Sequence, residues 1–556
     1  MRPKAWLLMM FLGISAIVAA QSPPPKLILV ISVDQMRFDY LTRFEPLYKG
    51  GFRTLLNRGA VFTNALYRHA NSETGPGHSV ILSGRHPSHS GIVANGWYDP
   101  YLKTMMNVVD DSTVDAIGGR GHGASPANFI GFTVGDKIKQ KWPASRVVGI
   151  SFKDRSAILP SGPRADAAYW FENDCGCFIT STYYTRQAPA WLTKFNAQKL
   201  PDSYYKTPWT RLLSDESAYL KYSREDNFPG EWDLKDTTFP HSYRGKPPEP
   251  AYYESLRRTP YADEVLLQAA LEALAAHNLG TDAAPDVFVI GFSASDYIGH
   301  AYGPFSQEAM DNYLRLDLVL DKLFHAVDAR VGLNNTLVIL TADHGALPLV
   351  EWLQKQGNRE AKRVSTSLLL NAVRTAFRQQ FPGAPELIAG MEGPNFHLNL
   401  DAIARSGLRR SEVEQTAIRA LMATGAVAAV YTWADMISDK PSSADPALAL
   451  LRNSFFAPRS PHLMVVAKQY HYISGNPGGT GHGTVYEYDR HVPIVWMGAG
   501  IKPGRYPSPA GPEDIAPTLA KMLGIPYPVE PDSRLLNEIL GEGVSAAAEG
   551  RVAPAR

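Results

Sequence analysis

The sequence is poor in cysteine, with only Cys175 and Cys177 among 556 residues. That excludes a disulfide-stapled scaffold and a four-cysteine structural zinc site. Beyond its first twenty residues no apolar run is long enough to span a bilayer, so no membrane-embedded bundle is expected. Charge excess is also missing. With 55 Lys plus Arg against 54 Asp plus Glu, nothing electrostatic favours nucleic acid as the principal partner. No internal repeat is found, which argues against a solenoid. What is present is 45% hydrophobic and 10% aromatic residues, the composition of a globular protein with material for a large core. The length allows three or four domains, or one core carrying insertions.

The first twenty residues differ from the rest. Arg2 and Lys4 precede an apolar run from Ala5 to Ala19, and Val18 and Ala20 stand at the -3 and -1 positions before Gln21. This is the layout of a secretory signal peptide, with cleavage expected after Ala20 and the mature protein periplasmic or secreted. No Cys follows the site, so lipoprotein processing is unsupported, and no stable membrane insertion is expected once the leader is gone. Export leads to a compartment where disulfides persist. One residue apart, Cys175 and Cys177 either close a very small ring or stay reduced.

Apolar, β-branched runs at Leu27 to Val33, Val287 to Phe292 and Thr336 to Thr341 lead to Asp34, Asp296 and Asp343. Helical periodicity over Ala262 to His277 and Gln307 to Val327 lies between them. Strands alternating with such helices predict an α/β fold, with a mostly parallel central sheet and helices on both faces. Ligands of such sheets gather beyond the carboxyl ends of the strands, where the three acids fall. The core is expected over 26–165, 256–351 and 461–544. Segments 166–255, rich in Tyr and Trp, and 352–460, with its own strand and helix signals, read as insertions that roof the active face. The tail 545–556 reads as loose.

Asp343-His344-Gly345 follows a strand, and Asp296 and His300 share one face if they lie on a helix. His482 sits between two glycines in a loop free to approach an ion. With Asp34 this makes three acids and three histidines, donors that suit zinc. An Asp after a strand also caps helices, and a loop His is often merely solvated; the force lies in the conjunction. Thr74, in Asn71-Ser-Glu-Thr-Gly-Pro-Gly-His-Ser79, offers a hydroxyl that metal coordination can activate, or a helix cap. Ser72 and Ser79 compete with it locally. If the chain stays extended after Val147 to Phe152, Lys153 and Arg155 face one anionic group together. Asn95 reads equally as a turn residue.

These residues together resemble the alkaline phosphatase superfamily, most closely its threonine-nucleophile, PafA-like branch, related to nucleotide pyrophosphatase/phosphodiesterases. The resemblance runs from about Lys26 to the helix near Leu523, with the motifs in the family's chain order. It implies that Asp34, Thr74, Asp343 and His344 surround one zinc and Asp296, His300 and His482 the other. It also implies Thr74 as the nucleophile, with Asn95, Lys153 and Arg155 holding phosphoryl oxygens. A third, magnesium site is not expected, because a lysine stands in its place. Cys175-Gly-Cys177 matches none of the family's motifs.

The expected activity is hydrolysis of small phosphate monoesters through a phosphothreonine, by a chain for which a monomer is favoured. A phosphodiesterase or nucleotide pyrophosphatase on the same scaffold is the alternative. A non-catalytic, exported metal- or phosphate-binding protein is the remote one. A sulfatase is disfavoured because Thr74-Gly-Pro-Gly-His78 stands where those relatives carry a Cys/Ser-x-Pro-x-Arg motif.

Overall fold

The computed structural model describes residues 23–541 except 234, 235, 440, 442 and 443. The expected leader at 1–20 and tail at 545–556 therefore lie outside the described residues. Strand Leu27–Val33 is buried along its whole length. Continuous apolarity rather than alternation is what a strand covered on both faces requires. Leu27, Leu29, Ile31 and Val33 pack with helices Tyr261–Ala276 and Gln307–Arg330, while Ile28 and Val30 pack with helix Ile515–Met522 on the other side.

Ten strands form the main sheet, in the order Gly504–Tyr506, Ala60–Phe62, Ile494–Gly498, Thr336–Thr341, Leu27–Val33, Asp286–Phe292, Val147–Ser151, Ala167–Glu172, Cys177–Ser181 and Ala116–Ile117. The five from Thr336–Thr341 to Ala167–Glu172 run parallel, and antiparallel pairs flank them. Parallel neighbours in register end side by side. Ser32 lies opposite Thr341, Val33 opposite Phe292, and Ser151 opposite Gly291. Four adjacent strands therefore deliver their following residues to one edge of the molecule.

The expected roof at 166–255 is corrected by this topology. Its first part supplies two strands to the main sheet, and Cys175 and Cys177, where those strands meet, form a disulfide. Trp209, Tyr219 and Tyr252 are buried in the principal core rather than arranged over the site. Trp209 Nε1 and the Tyr219 hydroxyl both donate to Asp311 of helix Gln307–Arg330, so their polar tips are satisfied inside the protein.

The later segment builds a second, antiparallel sheet of Ile388–Glu392, Asn395–Leu398, Leu463–Ala467 and Val427–Thr432, in that order. Helices Thr366–Gln380 and Arg410–Ala423 cover one of its faces. The run 462–469, expected to rejoin the main core, belongs instead to this sheet. Leu463 and Val465 face its helices while Met464 and Val466 face a separate apolar cluster, so both sides of the strand are already buried there. Strand His471–Ser474, paired with Lys362–Ser365, then leads to the glycine loop 475–483. Among the described residues no helix is long and apolar enough to cross a membrane.

Candidate active site

The four neighbouring strand ends carry the acids and the lysine. Asp343 follows Thr341 by two residues, Asp34 follows Val33, Asp296 lies in the first turn of helix Ala294–Tyr302, and Lys153 follows Ser151 by two. All four side chains are buried. The helix brings His300 over Asp296 as the i, i+4 spacing predicts, with Nε2 at 3.1 Å from Asp296 Oδ1. His482 Nε2 reaches within 3.7 Å of the same oxygen. His344 Nε2 lies 3.5 Å from Asp34 Oδ1 and 3.3 Å from Asp343 Oδ2. Donor atoms of Asp34, Asp343 and His344 fall within 4.8 Å of one another, as do those of Asp296, His344 and His482. His344 stands in both sets, and His300 joins through Asp296.

This arrangement suits a metal centre. Asp34 Oδ1, Asp343 Oδ2 and His344 Nε2 are buried and have no hydrogen-bond partner, which is costly unless something positive sits between them. Two carboxylates and an imidazole form a zinc-compatible donor set. Each of the three histidines turns Nδ1 to a backbone carbonyl: His344 to Gly345 at 2.9 Å, His482 to Ser72 at 2.8 Å and His300 to Thr480 at 2.7 Å. Those contacts assign the proton to Nδ1 and leave the Nε2 lone pair for an ion. Burial pushes the His344 and His482 imidazoles below their ordinary value. For Asp296 the cost of burial is outweighed by His300 and Lys153, and for Asp343 by His344 and His78, so both carboxyls are held low. Asp34 goes the other way, raised by burial and by Asp343.

Thr74 is the first residue of helix Thr74–Ser83, with Glu73 in the cap position, so it is not the cap that the local sequence also allowed. Its hydroxyl lies at the positive end of the helix, 3.5 Å from Lys153 Nζ. The competing hydroxyls are engaged elsewhere, Ser72 with Thr484 O and Ser79 with Pro76 O. Gly77 lets this helix lie against the Asp343 loop: a Cβ there would sit 2.2 Å from Asp343 O. Asn95 is more than a turn residue. Its Oδ1 accepts from Gly75 N at 2.7 Å, which fixes the amide beside the start of the helix.

Lys153 and Arg155 do not meet on an extended face, because the strand stops at Ser151 and helix Asp154–Ser161 begins. Lys153 stands at its cap position and reaches the acids, 2.6 Å from Asp34 Oδ2 and 2.5 Å from Asp296 Oδ2. Burial disfavours its charge, but Asp296 and Asp34 more than offset this and hold the ammonium protonated. Arg155 follows in the first helical turn, its Nε buried without a partner.

Three residues of the site escaped sequence reasoning. Gln35, with φ of 62°, donates from its backbone to Asp343 Oδ1 and from Nε2 to Asp296 Oδ1. His78 places Nδ1 3.3 Å from Asp343 Oδ2 and Nε2 2.9 Å from Ser32 Oγ. Tyr297 presents its ring to Lys153. Only His78 carried a signal, its i, i+4 spacing from Thr74.

A model described as type I phosphodiesterase / nucleotide pyrophosphatase matches residues 28–491. The chain is 34% identical over 557 aligned positions to alkaline phosphatase PafA of Elizabethkingia meningoseptica, covering 97% of this chain and 99% of the relative. It is 33% identical over 529 positions to alkaline phosphatase PhoV of Synechococcus elongatus, covering 93% of each. The crystal structure of wild-type PafA matches with a TM-score of 0.87 at 33% identity, over 93% of this chain and 99% of that one. Murine ectonucleotide pyrophosphatase / phosphodiesterase 5 shares the fold, with a TM-score of 0.52 at 13% identity over 92% of this chain and 100% of that one. With the model spanning most of its length and two alkaline phosphatases aligned nearly end to end, this chain belongs to the type I phosphodiesterase / nucleotide pyrophosphatase family.

Proposed function

We propose that this protein is an exported, zinc-dependent alkaline phosphatase that hydrolyses small phosphate monoesters through a covalent phosphothreonine on Thr74. Phosphatase activity is what its near-full-length relatives are named for. The observation that carries the finer reading is the Thr74 hydroxyl, 3.5 Å from the Lys153 ammonium that itself lies 2.6 Å from Asp34, one of the acids with unpartnered buried oxygens. Export rests on the apolar leader at residues 1–20.

Asp34, Thr74, Asp343 and His344 would hold one zinc ion and Asp296, His300 and His482 the other, with no magnesium site. Bound zinc supplies Lewis-acid stabilisation of the entering and departing oxygens. The chain itself positions the reactants. Thr74 Oγ1 attacks phosphorus, the bond to the ester oxygen breaks, and the alcohol leaves. Water then attacks the phosphothreonine, which returns the hydroxyl and frees phosphate. Lys153 Nζ, 3.5 Å from Oγ1, is placed to meet an oxygen of any phosphorus that Thr74 attacks. Asn95 and Arg155 complete a set of donors for the three non-bridging oxygens. Since Lys153 stays protonated, it acts as a cation and not as a base.

A monoester brings close to two negative charges and three free oxygens, and this donor set suits it better than a diester. The diesterase reading stays as the second one because the family model carries that description. Metal-replete enzyme assayed on an aryl phosphate monoester and a matched diester decides between them. Removing two charge-assisted contacts in K153A/R155A is expected to lower monoester kcat/KM by two orders of magnitude or more and diester kcat/KM by about tenfold or less. Equal losses, or a wild-type preference for the diester, would overturn the monoesterase assignment. Thr74→Ala is the control for background hydrolysis.

A further inference from the structure

Besides the two carboxylates and the Thr74 hydroxyl, the Lys153 ammonium faces an aromatic ring. The ring of Tyr297 lies with its centroid 5.0 Å from Lys153 Nζ, and the guanidinium carbon of Arg257 lies 4.5 Å from the same centroid. Tyr297 follows Asp296 directly on helix Ala294–Tyr302, so the element that carries Asp296 and His300 also fixes the ring. Arg257 comes from the end of helix Pro250–Leu256 and is tied to Glu254. A cation within about 6 Å of an aromatic centroid is held by the ring quadrupole, and more strongly when desolvated, as buried Lys153 is.

The ion pairs of Lys153 do not settle its position in the working enzyme. Asp34 and Asp296 are also residues that would hold metal ions, and a carboxylate shared with an ion attracts an ammonium less. The ring is the contact for which no ion competes. It also leaves the ammonium protons free for phosphoryl oxygens, because a cation–π contact uses no directed hydrogen bond.

We propose that Tyr297 is a positioning residue: its ring, which also meets Arg257, seats the Lys153 ammonium where it meets a phosphoryl oxygen. The role belongs to the ring face and not to the phenol. This rests on the monoesterase reading for its effect on turnover, but not for its effect on binding of the phosphate anion itself.

The test compares Tyr297→Phe, which keeps the ring, with Tyr297→Leu, which removes it. Each variant is analysed for zinc content, for calorimetric binding of inorganic phosphate, and for kcat/KM on a monoester and a diester. Expected for Tyr297→Leu is about tenfold weaker phosphate binding and about tenfold lower monoester kcat/KM, with a smaller loss on the diester and an unchanged zinc content. Tyr297→Phe is expected to stay within about twofold of wild type in every measurement. Phosphate binding unchanged in Tyr297→Leu would overturn the proposal. So would a loss in Tyr297→Phe as large as in Tyr297→Leu, or a drop in zinc content that accounts for the effect. Wild-type enzyme that binds phosphate yet prefers diesters would sink the monoesterase reading instead, and the binding comparison would still decide the role of Tyr297.

Discussion

Asp263 lies beneath the amino end of the helix that carries Asp296 and His300, and its Oδ1 accepts from Ala294 N at 3.4 Å. Burial pushes its carboxyl from the ordinary 3.8 up to about 8. The folded protein therefore holds this proton more tightly than the unfolded chain. The resulting stability is fully present below the unfolded value and is lost as pH rises through about 8. Asp263→Asn keeps an acceptor for Ala294 and has no charge to bury. Its melting temperature should match wild type near pH 4 and exceed it at pH 9, and equal melting curves at both pH values would refute this. Residues of this kind are hard to read from sequence. Asp34, Asp296 and Asp343 were legible because each follows a β-branched run, and His300 and His344 because they stand beside those acids. Gln35, with a side chain common in any turn, gave no sign that it would bind both Asp343 and Asp296.

At the scale of elements, the contact between helix Thr74–Ser83 and the Asp343 loop sets how near Thr74 lies to Asp343. Gly77 makes it possible, since a methyl group would meet Asp343 O at 2.2 Å. Gly77→Ala should push the helix away, destabilise the fold by about 1–3 kcal/mol and weaken both zinc retention and turnover. Metal analysis together with thermal melting checks this; a variant with full zinc and full rate would contradict the packing argument. The helices near 262–277 and 307–327 and the three acid-bearing strands were visible in the sequence because long periodic or β-branched stretches carry a strong signal. The strands at 167–172 and 177–181 were hidden. They are short, aromatic and joined by a tight turn, and periodicity over five or six residues cannot tell a sheet strand from a packed loop. Leu463–Ala467 was recognisable as a strand, but nothing local says which of two sheets it joins.

At the scale of the whole molecule, three of the unpartnered buried polar atoms of the described residues, Asp34 Oδ1, Asp343 Oδ2 and His344 Nε2, lie together beyond the ends of neighbouring parallel strands. A bound divalent ion relieves that cost in the folded state alone, so binding and stability are linked. Chelator treatment should lower the melting temperature by several degrees, and added zinc should restore it together with activity; a melting temperature indifferent to both would argue against a metal centre at these residues. The ligand positions run from Asp34 to His482, a span of nearly the whole chain, and no contiguous stretch of the sequence contains a complete donor set. A ribosome-bound polypeptide that has not yet released the glycine loop around His482 therefore lacks one of the two donor sets. Under the proposed reading, filling both donor sets with metal follows the folding of nearly the whole chain.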